Sequence, residues 1–318
     1  MRFRTRFLRE QYALRDPNFG YLFLPNHAKI RVRNAAGNIG HLARHSRGQD
    51  RDHATLWPAL FQVFPDWTWG NQGTGDCVSW EAAHKLDVLL AILAVNGKIE
   101  PPKRRVASEP CYGFARVEGQ GRSVYYGGPG TSGRAMQEGL KRFGTLYRQA
   151  YGAADLSKYS GSRAVQYGRS GVPDELEPEA ANHKVRDAVC VRTTDEAIAL
   201  IDSGYPVGYC GGTYWGLTRD ANGIAKQIKS GAHGMAITGY WRNSPKGLCF
   251  WVANTGHGKH CSGPKGPIEV PDVYAQCGSW MPESRITPVL RAGDCFAHTF
   301  VEGWPVQKLP DYGTGEYL

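Results

Sequence analysis

A glycine-rich turn that runs directly into a long helical pattern is the feature that most constrains the fold. The turn reads Asn71-Gln72-Gly73-Thr74-Gly75-Asp76, and Cys77 follows it. Apolar residues then recur at helical spacing, at Leu86, Leu89 and Leu93. Gly97 ends the pattern. The spacing predicts a helix of about five turns that begins near Cys77, with Asp76 as its N-cap.

Cys77 therefore falls in the first turn of the predicted helix, and this position bears on its chemistry. Unpaired backbone N–H groups and the positive end of the helix dipole favour the thiolate, which is the nucleophilic form of cysteine. A small, buried and inert cysteine is the alternative, because most free cysteines are core residues. Gln72, just upstream, and the pattern farther along the chain favour a chemical role.

The rest of the chain changes from helical to strand periodicity. A second helical pattern follows Gly133, and a capping box runs from Thr193 to Glu196. Residues 206–210, 232–240 and 248–253 read as strands. His233 opens the second of these strands between small neighbours, and Asn254 ends the third. This order predicts an α+β fold with a helix-rich half and a strand-rich half.

Three segments are predicted from this organisation. Residues 1–63 form a basic N-terminal extension, residues 64–188 a helix-rich lobe that carries Cys77, and residues 189–318 a β-rich lobe that carries His233 and Asn254. Residues 152–188 are polar and are predicted to be loop-rich, which makes them the best place for a boundary. The aromatic lead-in, from Trp57 to Trp69, is expected to pack on the Cys77 helix.

The chain's charge is concentrated at its N-terminus. Residues 1–53 hold eleven Lys/Arg against four Asp/Glu, so this arm carries +7 of the total of +9. A polyanion or an assembly partner could dock on it, and a solvated extension is the alternative. The arm has no apolar core of a secretory signal, and no apolar run is long enough to span a membrane. We expect a protein that is not secreted by a signal peptide and is cytoplasmic or virion-associated.

The eight cysteines are widely spread and include no Cys-x-x-Cys pair. This argues against a zinc ribbon and against a dense disulfide framework. His257, His260 and Cys261 are clustered, but their spacing matches no tetrahedral template well. We predict no metal and no cofactor.

In chain order, Gln72, Cys77, His233 and Asn254 resemble the papain-like (C1 family) cysteine peptidases, in a divergent bacterial or bacteriophage form. The matching features are the Asn-Gln-Gly turn before the cysteine, the small-His-small strand running into Gly239-Tyr240, and the Trp-Val-x-Asn strand. The resemblance implies a papain-like two-lobed fold with a cleft. It also implies a nucleophile at Cys77, an acid and base at His233, an orienting amide at Asn254 and an oxyanion donor at Gln72.

This sequence departs from the family pattern at three places in the site. Gln72 is five positions before Cys77, one fewer than usual. Val78, and not a tryptophan, directly follows Cys77, and Trp80 comes later. Thr255-Gly256 replaces the Ser-Trp that follows the asparagine. That tryptophan shields the His–Asn hydrogen bond from water in the family, and Trp251 and His257 are the candidates to replace it here. The glycines from Gly127 to Gly133 are predicted to line one wall of the cleft, with Gly127, Gly128 and Gly133 as substrate-binding residues.

The resemblance implies a protein or peptide substrate and hydrolysis through a thioacyl intermediate. Two alternatives stay open. One is a structural or virion-associated assembly protein that keeps the papain-like scaffold, with reduced or no activity, and docks through its basic arm. The other is a cell-wall amidase or endopeptidase of the NlpC/P60 type, which also uses a cysteine followed by a histidine.

Overall fold

The computed structural model describes residues 51–122, 128–152, 154–255 and 260–303, and its architecture mixes helix and sheet. The helices are α1 (Trp57–Val63), α2 (Cys77–Val95), α3 (Ser108–Gly113), α4 (Gly133–Arg142), α5 (Gly161–Ser170), α6 (Glu177–Ala180), α7 (Thr194–Asp202), α8 (Asp272–Ala275) and α9 (Glu283–Ala292). The strands are β1 (His53–Thr55), β2 (Ala150–Tyr151), β3 (Ala154–Asp155), β4 (Val185–Cys190), β5 (Val207–Arg219), β6 (Ala225–Ser244), β7 (Gly247–Ala253), β8 (Gly278–Pro282) and β9 (Phe296–Val301).

Helix α2 lies at the centre of the molecule. It begins at Cys77 and spans 19 residues, which confirms the predicted five-turn helix. Asp76 occupies the N-cap position as predicted, although its side chain makes no capping hydrogen bond. Every residue from Cys77 to Ala91 is buried, including the charged ones. A helix buried on all its faces must be packed from several directions, and α2 contacts α1, α3, α4, β5, β6 and β9.

The strands pair into one main sheet among the described residues. Its order is β4-β9-β5-β6-β7-β8, and β1 pairs with β6 outside this path. Strands β5 and β6 form a long antiparallel hairpin in which Val207 lies opposite Ile237 and Gly211 opposite His233. Strand β7 pairs with β6 on its other side, with Ala253 opposite Ala236. These registers bring the middle of β6 and the end of β7 together.

Several local predictions are confirmed. Helix α7 begins with the capping box between Thr193 and Glu196, in which each side chain bonds the backbone of the other residue. The second helical pattern forms α4, where the Ser132 side chain accepts a hydrogen bond from the Ala135 N–H. Trp57 and Trp67 of the aromatic lead-in are almost fully buried.

Two predictions about this part of the chain were wrong. Residues 152–188 are not predominantly loop, since they contain α5, α6 and the start of β4. Helix α5 was missed because its buried side consists of Ala164, Tyr167 and Gly168, which give little apolar signal. Strand β6 also begins at Ala225, so His233 lies well inside a strand and does not open one. Residues 226–230 are exposed and, apart from Ile228, polar, which hid the strand pattern.

The predicted boundaries between the three segments remain predictions. Strand β4 includes residues on both sides of the predicted boundary at residue 188. Most of the basic arm, residues 1–50, lies outside the described residues. Only its end is described, where Asp52 accepts hydrogen bonds from Trp241 Nε1 and the Asn243 N–H. None of the described helices combines the length and the apolar character needed to cross a membrane.

Candidate active site

Cys77, the first residue of α2, lies against strand β6. The backbone of Gly234, the residue that follows His233, lies close enough to the Cys77 sulfur to lower its pKa. A Cβ atom added to Gly234 would lie 2.8 Å from Val78 Cα and 3.0 Å from Val78 N. Glycine is therefore required at this position, because any side chain would push the strand away from the helix. The close approach explains how the sulfur and the His233 segment come together.

His233 and Asn254 form a buried hydrogen-bonded pair. The distance between His233 Nε2 and Asn254 Oδ1 is 2.8 Å, and the two side chains are 8% and 2% exposed. The Asn254 backbone N–H donates to Cys277 O at 2.6 Å, and the Thr255 hydroxyl donates to Gly234 O at 3.3 Å. With Oδ1 as the acceptor, Nε2 carries a hydrogen. In the neutral ring Nδ1 is then the nitrogen that can accept a proton.

Trp215 on β5 covers the histidine of this pair. Its ring centroid lies 5.3 Å from that of His233, at an interplanar angle of 60°. The register puts Trp215 opposite Lys229 and Gly211 opposite His233, so all four lie on the same face of the hairpin. Gly231 lies between them, and a Cβ there would be only 3.4 Å from the Trp215 ring. The glycine leaves room for the indole to lie diagonally toward the imidazole.

Of the two predicted shielding residues, the structure describes only Trp251, which does not take this place. Trp251 is fully buried in the main core, where its ring packs on Trp57, Tyr274 and Trp280. His257 lies outside the described residues. Trp215 was missed because it is 39 positions before Asn254, and only the hairpin register brings it near. Gly211 lies opposite His233 and Gly231 lies opposite Thr213, and these two glycines were the available signal.

Burial dominates the acidity of the Cys77 thiol. Desolvation raises its pKa to about 12, and the hydrogen bond from the Gly234 backbone offsets only part of this effect. The neighbouring Asp76 carboxyl raises the pKa further. Burial therefore acts on the pKa of this thiol against the effect of the helix start, and the thiolate stays a prediction. The group is a thiol that must lose its proton to a neighbour before it attacks.

Asp76 is a buried carboxyl directly before the cysteine. Its Oδ2 atom accepts a hydrogen bond from the Tyr159 hydroxyl at 3.0 Å, and the same hydroxyl accepts one from the Gly73 N–H at 2.8 Å. Tyr159 thus ties the two ends of the glycine-rich turn together. Desolvation raises the pKa of Asp76 to about 7, although the Tyr159 hydrogen bond lowers it. Sequence patterns alone gave no sign of this contact between residues 83 positions apart.

The raised pKa of Asp76 makes a prediction about stability. The pKa of this carboxyl is higher in the folded protein than its unfolded value of 3.8, so ionising it costs more in the folded state. The free energy of unfolding therefore falls as the pH rises from about 4 to about 7. We expect Asp76→Asn to remove up to about 4 kcal/mol of this pH-dependent loss. Urea unfolding of both proteins between these pH values measures the difference. Asp272→Asn, at an exposed carboxyl, is the control, and an unchanged pH slope in Asp76→Asn would contradict the expectation.

Gln72 lies in the same turn and is partly buried. Its Nε2 donates one hydrogen bond to Thr74 O at 2.8 Å, which holds the amide within the turn. An amide nitrogen carries two hydrogens, so one donor remains for another group.

The three glycines predicted to bind substrate differ in how the structure places them. Gly127 lies outside the described residues. Gly128 has a positive φ of 73°, and an added Cβ would meet nothing within 4 Å, so this residue borders open space. Gly133 is buried, and its N–H donates to Asp294 Oδ2 at 2.6 Å. The prediction for Gly133 was therefore wrong, because a residue covered by Asp294 offers no surface to a substrate.

Histidine, cysteine, aspartate and glutamate side chains form no cluster of three or more that could hold a metal ion within the described ranges. His260 lies near Trp215, with ring centroids 6.3 Å apart. Cys261 is buried.

Comparisons with known proteins find similarity at the level of structure. No family model and no curated protein matches the sequence. Digestive procathepsin L 3 of Tenebrio molitor larval midgut is similar, with 10% identity, a TM-score of 0.39, and coverage of 79% of this chain and 70% of that one. The proform of Amb a 11, a ragweed pollen cysteine protease, has 13% identity, a TM-score of 0.44, and coverage of 78% and 65%. Bromelain from Ananas comosus, in complex with the E64 inhibitor, has 14% identity, a TM-score of 0.40, and coverage of 77% and 97%.

These neighbours are papain-like cysteine proteases. The chain spans about two thirds of the Amb a 11 structure and nearly all of the bromelain structure. Identities of 10–14% and TM-scores of 0.39–0.44 do not establish a shared activity. A bacterial or bacteriophage type stays a prediction.

Proposed function

We propose that this chain is a cysteine peptidase that hydrolyses peptide bonds of protein or peptide substrates through Cys77, His233 and Asn254. One observation carries the proposal: His233 Nε2 lies 2.8 Å from Asn254 Oδ1, on a strand whose next residue, Gly234, packs directly on the helix turn that begins at Cys77. Nucleophilic catalysis requires a nucleophile that can reach a base and a third group that orients the base, and this packing supports such an arrangement.

The reaction begins with a neutral Cys77 thiol, since burial raises its pKa to about 12. His233 Nδ1 accepts the thiol proton as the sulfur attacks the carbonyl carbon of the peptide. The resulting imidazolium is stabilised by Asn254 Oδ1, which accepts the Nε2 hydrogen throughout. His233 then gives its proton to the leaving amine nitrogen, the C–N bond breaks, and a thioester of Cys77 remains.

Water completes the cycle. His233 takes a proton from the water molecule as its oxygen attacks the thioester, and the C–S bond then breaks to release the carboxyl product. The proton returns to the Cys77 sulfur. The negative charge that develops on the carbonyl oxygen is stabilised by the Cys77 backbone N–H at the start of α2 and by the remaining donor of the Gln72 amide.

Covalent labelling tests the proposal. A peptidyl epoxide or vinyl sulfone should modify Cys77 selectively, because the proposed mechanism makes this cysteine the nucleophile and His233 its base. Cys190 gives an internal control, since it is the one partly exposed cysteine and the other seven are buried. A reagent that reacts by accessibility alone should therefore modify Cys190 first.

Peptide mapping by mass spectrometry locates the adduct. We expect a single adduct at Cys77 in the wild-type protein, and a labelling rate about 100-fold lower in His233→Ala. A folded protein that is labelled at Cys190 and not at Cys77 would refute the proposed function.

A further inference from the structure

A cavity of about 590 Å³ lies beside the Cys77 turn and takes no part in the proposed reaction. Its walls are the aromatic segment from Val63 to Gly70, the basic loop Lys103-Arg104-Arg105, Arg148, and the segment from Ser157 to Tyr159. Trp80, on the helix that begins at Cys77, closes one side. The volume is that of a cavity that binds small ligands or a few residues of a peptide.

The walls carry five cationic side chains and only one carboxylate, Asp66. Arg105 forms an ion pair with the buried carboxylate of Asp87 at 3.1 Å, and Arg148 forms one with the buried carboxylate of Glu109 at 2.6 Å. The other three cations, Lys103, Arg104 and Lys158, are exposed and form no ion pair with a carboxylate of the described residues. The cavity therefore presents a positive potential to an incoming group.

The cations are held on a fixed backbone. The Arg148 N–H donates to Arg105 O at 2.8 Å, and a β-bridge joins Val106 to Tyr147. This pairing keeps the basic loop beside Arg148 before any ligand arrives. Preorganised guanidinium groups are well suited to bind carboxylates, since less side-chain entropy is lost when a hydrogen bond forms.

The aromatic walls do not serve as stacking surfaces for bases. The Arg105 guanidinium lies 4.9 Å from the centre of the Trp67 ring, and the Arg148 guanidinium lies 5.9 and 5.8 Å from the rings of Trp80 and Tyr159. Trp67 and Trp80 are only 2% and 7% exposed. Binding of single-stranded nucleic acid needs accessible ring faces, and here these are buried or covered. Carboxylates of a peptide match the cationic walls better.

The cavity also contacts the turn that positions the cysteine. Its wall residue Tyr159 bonds the Gly73 N–H and the Asp76 carboxyl, and Asp76 precedes Cys77. Trp80 follows Cys77 by about 4.5 Å along the helix axis. A peptide that reaches Cys77 can therefore extend into the cavity within a few residues. We propose that this cavity binds an acidic segment of the polypeptide substrate, an inference that rests on the proposed peptidase function.

Binding to an inactive protein tests the cavity separately from catalysis. The probe is a fluorescent oligoglutamate peptide, titrated against full-length Cys77→Ala and followed by anisotropy. We expect saturable binding that weakens at higher salt, and no binding of an oligoglutamine peptide of the same length. Adding Arg104→Glu and Lys158→Glu should raise the Kd by at least about tenfold.

A matched control separates a local site from net charge. Lys226→Glu with Lys246→Glu makes the same change in total charge at two exposed lysines that do not line the cavity. This control should bind like the parent. Equal weakening in both double variants, no weakening in either, or tighter binding of oligothymidylate than of oligoglutamate would overturn the inference.

Peptide cleavage by the wild-type chain distinguishes failure of the cavity assignment from failure of the peptidase proposal. If neutral peptides are cleaved and oligoglutamate does not bind, the cavity assignment fails and the peptidase proposal stands. If oligoglutamate binds the cavity and no peptide is cleaved, the cavity is a binding site for acidic peptides and the proposed peptidase function fails. The inferred role of the cavity in substrate binding then fails as well.

Discussion

His233→Ala is expected to lower kcat/KM for a peptide substrate by about 10³-fold or more while the protein stays folded. The loss is large because the Cys77 thiol, with a pKa of about 12, is almost entirely protonated at neutral pH. Without the imidazole, the thiol loses the group proposed to accept its proton during attack and to protonate the leaving amine. The measurement is steady-state hydrolysis of a fluorogenic peptide, with circular dichroism as the check on folding.

Two companion variants make this result specific. Asn254→Ala removes the acceptor at 2.8 Å from His233 Nε2 and should cost about 10 to 100-fold, because the base remains but loses its orientation. Cys77→Ala should be inactive and His233→Ala nearly so, and the double variant should be no worse than Cys77→Ala. Hydrolysis by His233→Ala within tenfold of the wild-type rate would show that His233 is not the base.

The sequence predicted the elements that local patterns determine. The helix at Cys77, the capping box at Thr193 and the end of strand β7 before Asn254 each depend on residues close together in the chain. Helical spacing of leucines, a Thr–Glu pair three positions apart and a short apolar run carry enough information for these predictions. The roles of Cys77, His233, Asn254 and Gln72 followed from a family resemblance, and they remain a proposal.

What the sequence could not predict depends on register and burial. Trp215 reaches His233 because the hairpin register puts both side chains on one face, and a shift by one residue would turn the indole to the other face. Burial raises the pKa of Cys77 against the effect of the helix dipole, and the dipole is visible in the sequence while the depth of burial is not. The Asp76–Tyr159 bond joins segments whose approach no periodicity reveals.

The same contrast applies to the ion pair of Glu81 and Lys85 inside α2. In the sequence it is an ordinary i,i+4 pair, of the kind that exposed helix faces carry. In the structure both side chains are 1% exposed, and Lys85 Nζ lies 2.7 Å from Glu81 Oε1 and 2.8 Å from Phe296 O on β9. The Gly208 backbone of β5 covers the pair, and a Cβ there would lie 2.8 Å from Lys85 Nζ. The pair therefore joins the central helix to two strands of the sheet.

Lys85→Met is expected to reduce the free energy of unfolding by about 3 to 5 kcal/mol at neutral pH. The lysine supplies the charge that lowers the pKa of Glu81 against the opposing effect of burial. Without it, the folded pKa of Glu81 rises farther above the unfolded value of 4.5, so stability is lost as the pH rises through that value. Urea unfolding at pH 5 and pH 8 should therefore show a larger deficit at pH 8.

Two controls separate an unpaired charge from a general loss of packing. Glu81→Gln combined with Lys85→Met replaces both charges and should recover most of the lost free energy, because a neutral pair has a much smaller desolvation cost. Lys98→Met, at the exposed position beyond the end of the same helix, should change stability by less than about 0.5 kcal/mol. If the double variant is as unstable as Lys85→Met and the deficit does not depend on pH, then packing of the lysine stem, and not its charge, stabilises the contact between α2 and the sheet.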